Sequence, residues 1–295
     1  MSGIFGWINL ASGDESAHAT LDAMRQGLRD NGADAPRPII NGLCALAAEP
    51  GIRAVDLHET QGLLAAVEGQ IRWRSENLGV VAREHGVAAA VVEAYRLHGT
   101  DCLKQMLGPF AIAIADARNG SGLLAIDRLG IRTLCYANPP GGLVFGSNAT
   151  SVVAHRAVER DISKQAIFNY LYFHVIPSPG TIYRTVQKLE PGECIVFRNG
   201  VVERRFYWQL RYHDEGAGAV DALERRFRSM LKDATKHAID GDSDVGTFLS
   251  GGTDSSTVAT MLTELTRTPA RTYSIGFASD EFDEMKYARI TAKHL

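Results

Sequence analysis

The residues most able to do chemistry lie in one short stretch, Thr247-Phe248-Leu249-Ser250-Gly251-Gly252-Thr253-Asp254-Ser255-Ser256. It reads as the end of a buried strand, a tight polar turn and the first turn of a helix. Val258, Met261, Leu262 and Leu265 follow at i, i+3, i+4 and i+7, one apolar face of an amphipathic helix. A strand entering a helix through such a turn leaves backbone N–H groups unpaired and pointing forward. With the positive end of the helix dipole they make an anion site. Gly251 and Gly252 let the backbone approach a phosphate with no Cβ in the way. Ser250, Ser255 and Ser256 add hydroxyl donors, and Asp254 adds a carboxylate suited to holding Mg2+ on a polyphosphate. An isolated Gly-Gly pair would be an ordinary capped turn, but the full string is more specific. It is not a G-x-x-x-x-G-K-[ST] loop, whose spacing and lysine are missing.

The elements that must position this loop fall into two blocks. At 295 residues the length favours two domains, each able to bury a core. The composition, 45% hydrophobic and 22% charged with net charge −3, is that of a globular protein. The 31 basic and 34 acidic residues balance, so no nucleic-acid partner is expected. No apolar run is long enough to cross a membrane, and the first residues lack a secretory signal. Cys44, Cys102, Cys135 and Cys194 are scattered without a CxxC pair, which fits buried thiols in a reducing cytoplasm.

In the first block, residues 3–10 read as a strand, and Leu21, Met24 and Leu28 mark a short helix. Residues 38–48 and 62–68 look like strands, and Val87 to Leu97 a helix with Val91 and Tyr95 inward. Phe110 to Asp116 and Gly122 to Asp127 form a hairpin across Asn119-Gly120, and Val144 to Ser147 adds a strand. A helix carrying Ile167, Tyr170 and Leu171 leads into the loop Ile176-Pro177-Ser178-Pro179-Gly180. Cys194 to Phe197 and Val201 to Tyr207 pair across Asn199-Gly200. Elements in grouped blocks predict a layered α+β domain rather than a βαβ repeat.

Residues 209–219, with Asp214-Glu215-Gly216-Ala217-Gly218, read as a linker. Val220, Leu223, Phe227, Met230, Leu231 and Ala234 then trace a long amphipathic helix, followed by the loop unit. A strand at Arg271 to Phe277 and a helix from about Asp283 to Leu295 complete the chain. Two strands cannot build a covered parallel sheet alone, so the expectation is the front part of a longer protein, or one completed by a second polypeptide.

The whole chain resembles the N-terminal half of asparagine synthetase-type proteins. Ile4-Phe5-Gly6, Gly108-Pro109-Phe110-Ala111 with Asp116, and Asp127-Arg128-Leu129-Gly130-Ile131 carry the likeness in the first block. Thr181-Ile182-Tyr183-Arg184, Lys188-Leu189-Glu190-Pro191-Gly192, the Ser250–Ser256 loop, Ser274-Ile275-Gly276-Phe277 and Phe282-Asp283-Glu284 extend it. The loop itself resembles the SGGxDSS pyrophosphate loop of ATP pyrophosphatases. The resemblance implies a class II glutamine amidotransferase-like domain over residues 1–208, an N-terminal-nucleophile α/β/β/α sandwich. It implies the start of an asparagine synthetase-type ATP-binding domain over residues 219–295, an incomplete α/β Rossmann-like fold. ATP and Mg2+ are the implied cofactors. Leu249, Ser250, Gly251, Gly252, Asp254, Ser255, Ser256 and Ile275 are the implied ATP contacts, with Asp254 also on the metal. Leu249 and Ile275 would flank the adenine, or are ordinary strand core. The reaction implied is amide formation from a small-molecule or peptide carboxylate through an acyl-adenylate. The missing part of the synthetase domain as a separate chain, or a second copy of this one, is the protein partner left open.

The first domain departs from the family pattern. Active members expose an N-terminal cysteine after Met removal; here the residue is Ser2, which serves as nucleophile in other proteins of that fold. The family's Arg-His-Arg-Gly-Pro-Asp segment aligns with Arg29-Asp30-Asn31-Gly32-Ala33-Asp34. Pro50 stands where the family's carboxylate-clamping arginine falls, with Arg53 close by as the substitute if the alignment slips. The oxyanion-donating asparagine is Glu68, which cannot donate when ionised. The segment whose aspartate holds the substrate ammonium aligns with Gly86-Val87-Ala88. Losing one oxyanion donor costs about 10²–10³ in rate, so losing four roles implies a glutaminase domain that no longer hydrolyses glutamine, as in β-lactam synthetases and lasso-peptide cyclases. Two rivals stand beside this reading: a glutamine-hydrolysing asparagine synthetase using Ser2, and a non-catalytic scaffold.

Overall fold

The strand Phe110-Ala-Ile-Ala-Ile-Ala-Asp116 is apolar at almost every position instead of alternating, and in the computed structural model of the chain all its residues are buried. A strand covered on both faces has no solvent side to keep polar. The structure describes residues 2–11, 14–28, 36–212, 219–239, 244–279, 281 and 283–295. The segment 29–34 and the linker core 214–218 lie outside them. The chain divides into two compact units, Met1–Arg211 and Tyr212–Leu295.

In the first unit the order is β1 (Gly3–Ile8), α1 (Asp14–Gln26), β2 (Ile39–Asn41), β3 (Cys44–Glu49), β4 (Val55–Thr60), β5 (Leu63–Gly69) and β6 (Arg72–Trp73). Then come α2 (Glu76–His85), α3 (Val87–His98), a 3-10 turn at Gly99–Gln105, β7 (Met106–Leu107), β8 (Phe110–Asp116), β9 (Ser121–Ile126), β10 (Cys135–Ala137) and β11 (Leu143–Gly146). The unit ends with α4 (Ala149–Val153), α5 (Lys164–Phe173), β12 (Gln187–Lys188), β13 (Glu193–Arg198) and β14 (Val201–Phe206).

Two six-stranded antiparallel sheets result, in the orders β12-β10-β11-β1-β3-β2 and β14-β13-β9-β8-β5-β4. Between them Ala66, Ala111, Ala113 and Ala115 of the second sheet meet larger side chains of the first, such as Ile4, Ile8, Leu46 and Phe145. Small residues on one side let large ones interdigitate from the other. The outer face of the first sheet packs Phe5 and Trp7 against Leu21, Met24 and Leu28 of the α1 segment and Val152 of α4. The outer face of the second packs Ile112 and Ile114 against Val91 and Val92 of α3. The layers are therefore helix, sheet, sheet, helix, as expected. The four cysteines are buried and unpaired, and no helix among the described residues is long and apolar enough to cross a membrane.

The second unit contains α6 (Val220–Ile239), β15 (Gly246–Phe248), α7 (Thr253–Thr266), β16 (Arg271–Tyr273) and α8 (Met285–His294). β15 and β16 are parallel, with α7 as the crossover between them. Three expectations are corrected here. The strand before the loop is not buried, since Phe248 is 74% exposed. The second strand stops at Tyr273, leaving Ser274–Phe277 outside it. Val220, Leu223, Phe227 and Met230 of α6 are exposed, and so is Val258 of α7. The reason is shared: within this unit a two-stranded sheet offers too little surface to cover these apolar faces. In the first unit, Ile167, Tyr170 and Leu171 of α5 are likewise exposed rather than core.

Candidate functional site

Leu249 follows β15 and is buried with Ala259 of α7 and Ala288 of α8. Its amide donates to the Tyr273 carbonyl at 2.8 Å, and its carbonyl accepts the Ser274 hydroxyl at 2.6 Å. These bonds fix the direction in which the chain leaves the strand. The turn follows at once: Gly251 takes φ +85°, and a Cβ there would lie 2.4 Å from Tyr287 Cβ. Only glycine allows α8 to sit this close to the loop.

Inside the turn, Ser255 Oγ is the hub. It accepts the Ser250 amide at 3.2 Å, lies 3.0 Å from Ser250 Oγ, and donates to the Gly252 carbonyl at 3.2 Å. Ser250 Oγ accepts the Gly252 amide at 3.3 Å. Ser256 Oγ lies 3.3 Å from Thr291 Oγ1 of α8. Side-chain hydroxyls, not main chain, thus hold two of the loop amides, while those of Gly251, Thr253 and Asp254 have no acceptor among the described residues. Asp254 is exposed in the first turn of α7. A cleft of about 220 Å³ opens beside the turn, lined by Leu249, Ser250, Tyr273, Ile275 and Met285 among others. Leu249 and Ile275 therefore reach one cleft, the first as its buried floor and the second as a 67% exposed rim. The eight residues singled out in the sequence all fall on this turn and cleft. An apolar slot beside amides that lack an acceptor among the described residues suits a flat ring joined to a polyphosphate. One carboxylate at the helix start suits a Mg2+ that takes its other ligands from phosphate and water; among the described residues no cluster of three or more metal-binding side chains exists.

A second group of polar side chains gathers in the first unit. Ser2, 6% exposed, heads β1 with Gly51 packed against it. Two residues on, the Ile4 amide donates to Ser147 Oγ at 2.9 Å, and that hydroxyl donates to Glu68 Oε2 at 2.7 Å. Glu68 is 1% exposed, and its Oε1 accepts from Arg53 Nη1 at 3.1 Å. Arg132 stands within range of both. Burial first, then the positive charge of Arg53, pulls its pKa below the usual guanidinium value, against the opposing effect of Glu68 and Asp127. Arg132 is delivered by the turn after β9, where buried Asp127 gathers amides: Leu129 and Ile131 on one oxygen, Phe110 and Arg132 on the other. Gly86 precedes and Ala88 lies in the first turn of α3, where the Ala88 amide donates to Asp56 at 2.8 Å. The sequence pointed to Ser2, Arg53 and Glu68. It missed Ser147 and Arg132, although Arg132 directly follows the Asp127–Ile131 motif.

Residues 1–208 match the family model described as glutamine amidotransferase domain, and residues 226–295 the model described as asparagine synthase. A protein named putative asparagine synthetase (glutamine-hydrolyzing) 2 from Methanocaldococcus jannaschii is 31% identical over 209 residues, covering 69% of this chain and 40% of that protein. Asparagine synthetase (glutamine-hydrolyzing) 1 of Bacillus subtilis is 28% identical over 228 residues, covering 77% and 35%. Number 3 of the same organism is 22% identical over 303 residues, covering 95% and 49%. The chain thus spans between 35% and 49% of the length of these relatives. With its first 208 residues matching one of these models and its last 70 the other, this chain belongs to the asparagine synthetase family.

Proposed function

We propose that the protein of which this chain is part is an ATP-dependent amide-bond-forming ligase of asparagine synthetase type. The observation that carries this is the turn at Ser250–Ser256, with amides that lack an acceptor among the described residues at a helix start beside an apolar cleft. Gly251, Gly252 and the three serines would hold the β and γ phosphates of ATP, Leu249 and Ile275 would border the base, and Asp254 would hold Mg2+ on the polyphosphate. Donors gripping that end favour pyrophosphate as leaving group. A substrate carboxylate oxygen attacks the α-phosphorus as its bond to the bridging oxygen breaks; an amine then attacks the acyl carbon and AMP leaves. The second unit would be the start of a Rossmann-like domain, and the rest of that domain, in one chain or another, would supply the acyl pocket. Four unpaired cysteines support action in the cytoplasm.

The first unit is read as a glutaminase fold that no longer hydrolyses glutamine, because Glu68 stands where an oxyanion donor belongs. The amine then comes from elsewhere, for instance from within the substrate. Ser2 at the head of β1 and the names of the relatives favour one second reading, glutamine hydrolysis by a serine nucleophile. Exchange of pyrophosphate into ATP on the complete protein, dependent on an added carboxylate and lost in Asp254→Ala, is the expected result. Ammonia release from glutamine that disappears in Ser2→Ala would establish the second reading instead.

A further inference from the structure

Arg53 is a half-exposed guanidinium two residues after Gly51, which packs against Ser2, and its only bonded partner among the described residues is a carboxylate from inside the chain. The two side chains are unequal: that of Arg53 is 47% exposed, that of Glu68 1%. Glu68 sits on the inter-sheet side of β5, in line with Leu64 and Ala66, which are core. A buried carboxylate is costly unless both oxygens are engaged, and here Arg53 takes one and Ser147 Oγ the other. Ser147 is itself fixed by the Ile4 amide, so the arrangement is tied to the first strand. Arg132 adds a second cation within range, and its Nε is buried without a hydrogen-bond partner. Two cations thus face Glu68, with Asp127 a second anion acting on Arg132. Removing the Glu68 carboxylate leaves the half-exposed Arg53 guanidinium without its partner, with Arg132 nearby, and a guanidinium fork fits a free carboxylate.

We infer that Glu68 acts as a resident ligand of Arg53: its side chain fills, from within, the place a small external carboxylate would take on that guanidinium, and so keeps amino acids out. This rests on the reading that the first unit does not hydrolyse glutamine, and it names the residue that closes the site. Glu68 then determines specificity by occupancy, beyond the loss of an oxyanion donor.

The test is calorimetric titration of the full chain with propionate and with L-glutamine. Wild type is expected to bind neither. Glu68→Ala is expected to bind propionate at least about tenfold tighter than the detection limit that wild type fails to reach, with propionate raising its melting temperature. Adding Arg53→Ala to that variant is expected to abolish the gain, which a merely structural role for Glu68 would not predict. Glu68→Gln keeps the shape and an acceptor for Ser147, and is expected to show the same gain in smaller degree. Wild-type binding as tight as that of Glu68→Ala overturns the inference. So does a folded Glu68→Ala that binds no propionate, or a Glu68→Ala that fails to fold even with propionate present. Ammonia is measured in parallel: no ammonia and no gain in binding sinks this inference alone, whereas ammonia from wild type sinks the reading beneath it.

Discussion

Gly251 is where a single side chain decides most. Its φ of +85°, and the 2.4 Å that would separate an added Cβ from Tyr287 Cβ, leave no room for alanine without moving α8 or the turn. Gly251→Ala is expected to cost roughly 1–3 kcal/mol in the second unit and to abolish ATP binding, read by calorimetry on the complete protein; unchanged affinity would contradict the close packing described. His155 makes a separate test. It packs edge-on against Trp7, and burial, with a smaller effect of the Arg156 charge, lowers its pKa from 6.5 to about 4. Between those values the unfolded chain takes up a proton that the folded one refuses, so stability falls as pH drops from 6.5 toward 4. The loss is on the order of 3 kcal/mol across that window. His155→Phe should flatten this part of the curve of stability against pH, measured by urea unfolding; an unchanged slope would assign the effect elsewhere. At this scale the loop was legible because glycines, serines and an aspartate at fixed spacing have few other uses. Ser147 and Arg132 were not, because a lone serine or arginine carries no signal until the fold brings it beside Glu68.

The turn after β9 is the clearest case of an element built by one side chain. Asp127, 1% exposed, accepts four amides and thereby sets the path of residues 128–132. Asp127→Asn replaces an acceptor-only group by one that must also donate, and is expected to cost roughly 3 kcal/mol. The urea midpoint reads this, and a loss under about 1 kcal/mol would show that the amides find water instead. Strands such as β5 and β8 were readable because both faces are buried, which leaves continuous apolar runs. β4 escaped notice because it is a half-buried edge strand with Asp56, His58 and Glu59, and α2 because only Leu78 of its residues is buried. The apolar positions of α5 and α6 gave their helices correctly but not their surroundings. Periodicity reports which face is apolar, and only a neighbouring element can cover it.

For the molecule as a whole, the two units differ in how far their sequence explains them. The first closes its own cores between and outside two sheets, so a layered fold follows from strand patterning and Asn-Gly turns. The second has one small core of Leu249, Ala259 and Ala288 and leaves Phe248, Tyr273 and Phe277 exposed. Its chemistry was nevertheless easier to read than its fold, since the turn is local whereas a sheet needs distant strands. Where ATP is cut matters most, and the nucleotide products report that directly. Phosphorus NMR of the complete protein turning over ATP with its carboxylate and amine substrates should show AMP and pyrophosphate appearing together. ADP and inorganic phosphate in their place would mean that the turn at Gly251 does not hold the β and γ phosphates as the leaving group, which contradicts the proposed ligase chemistry at its centre.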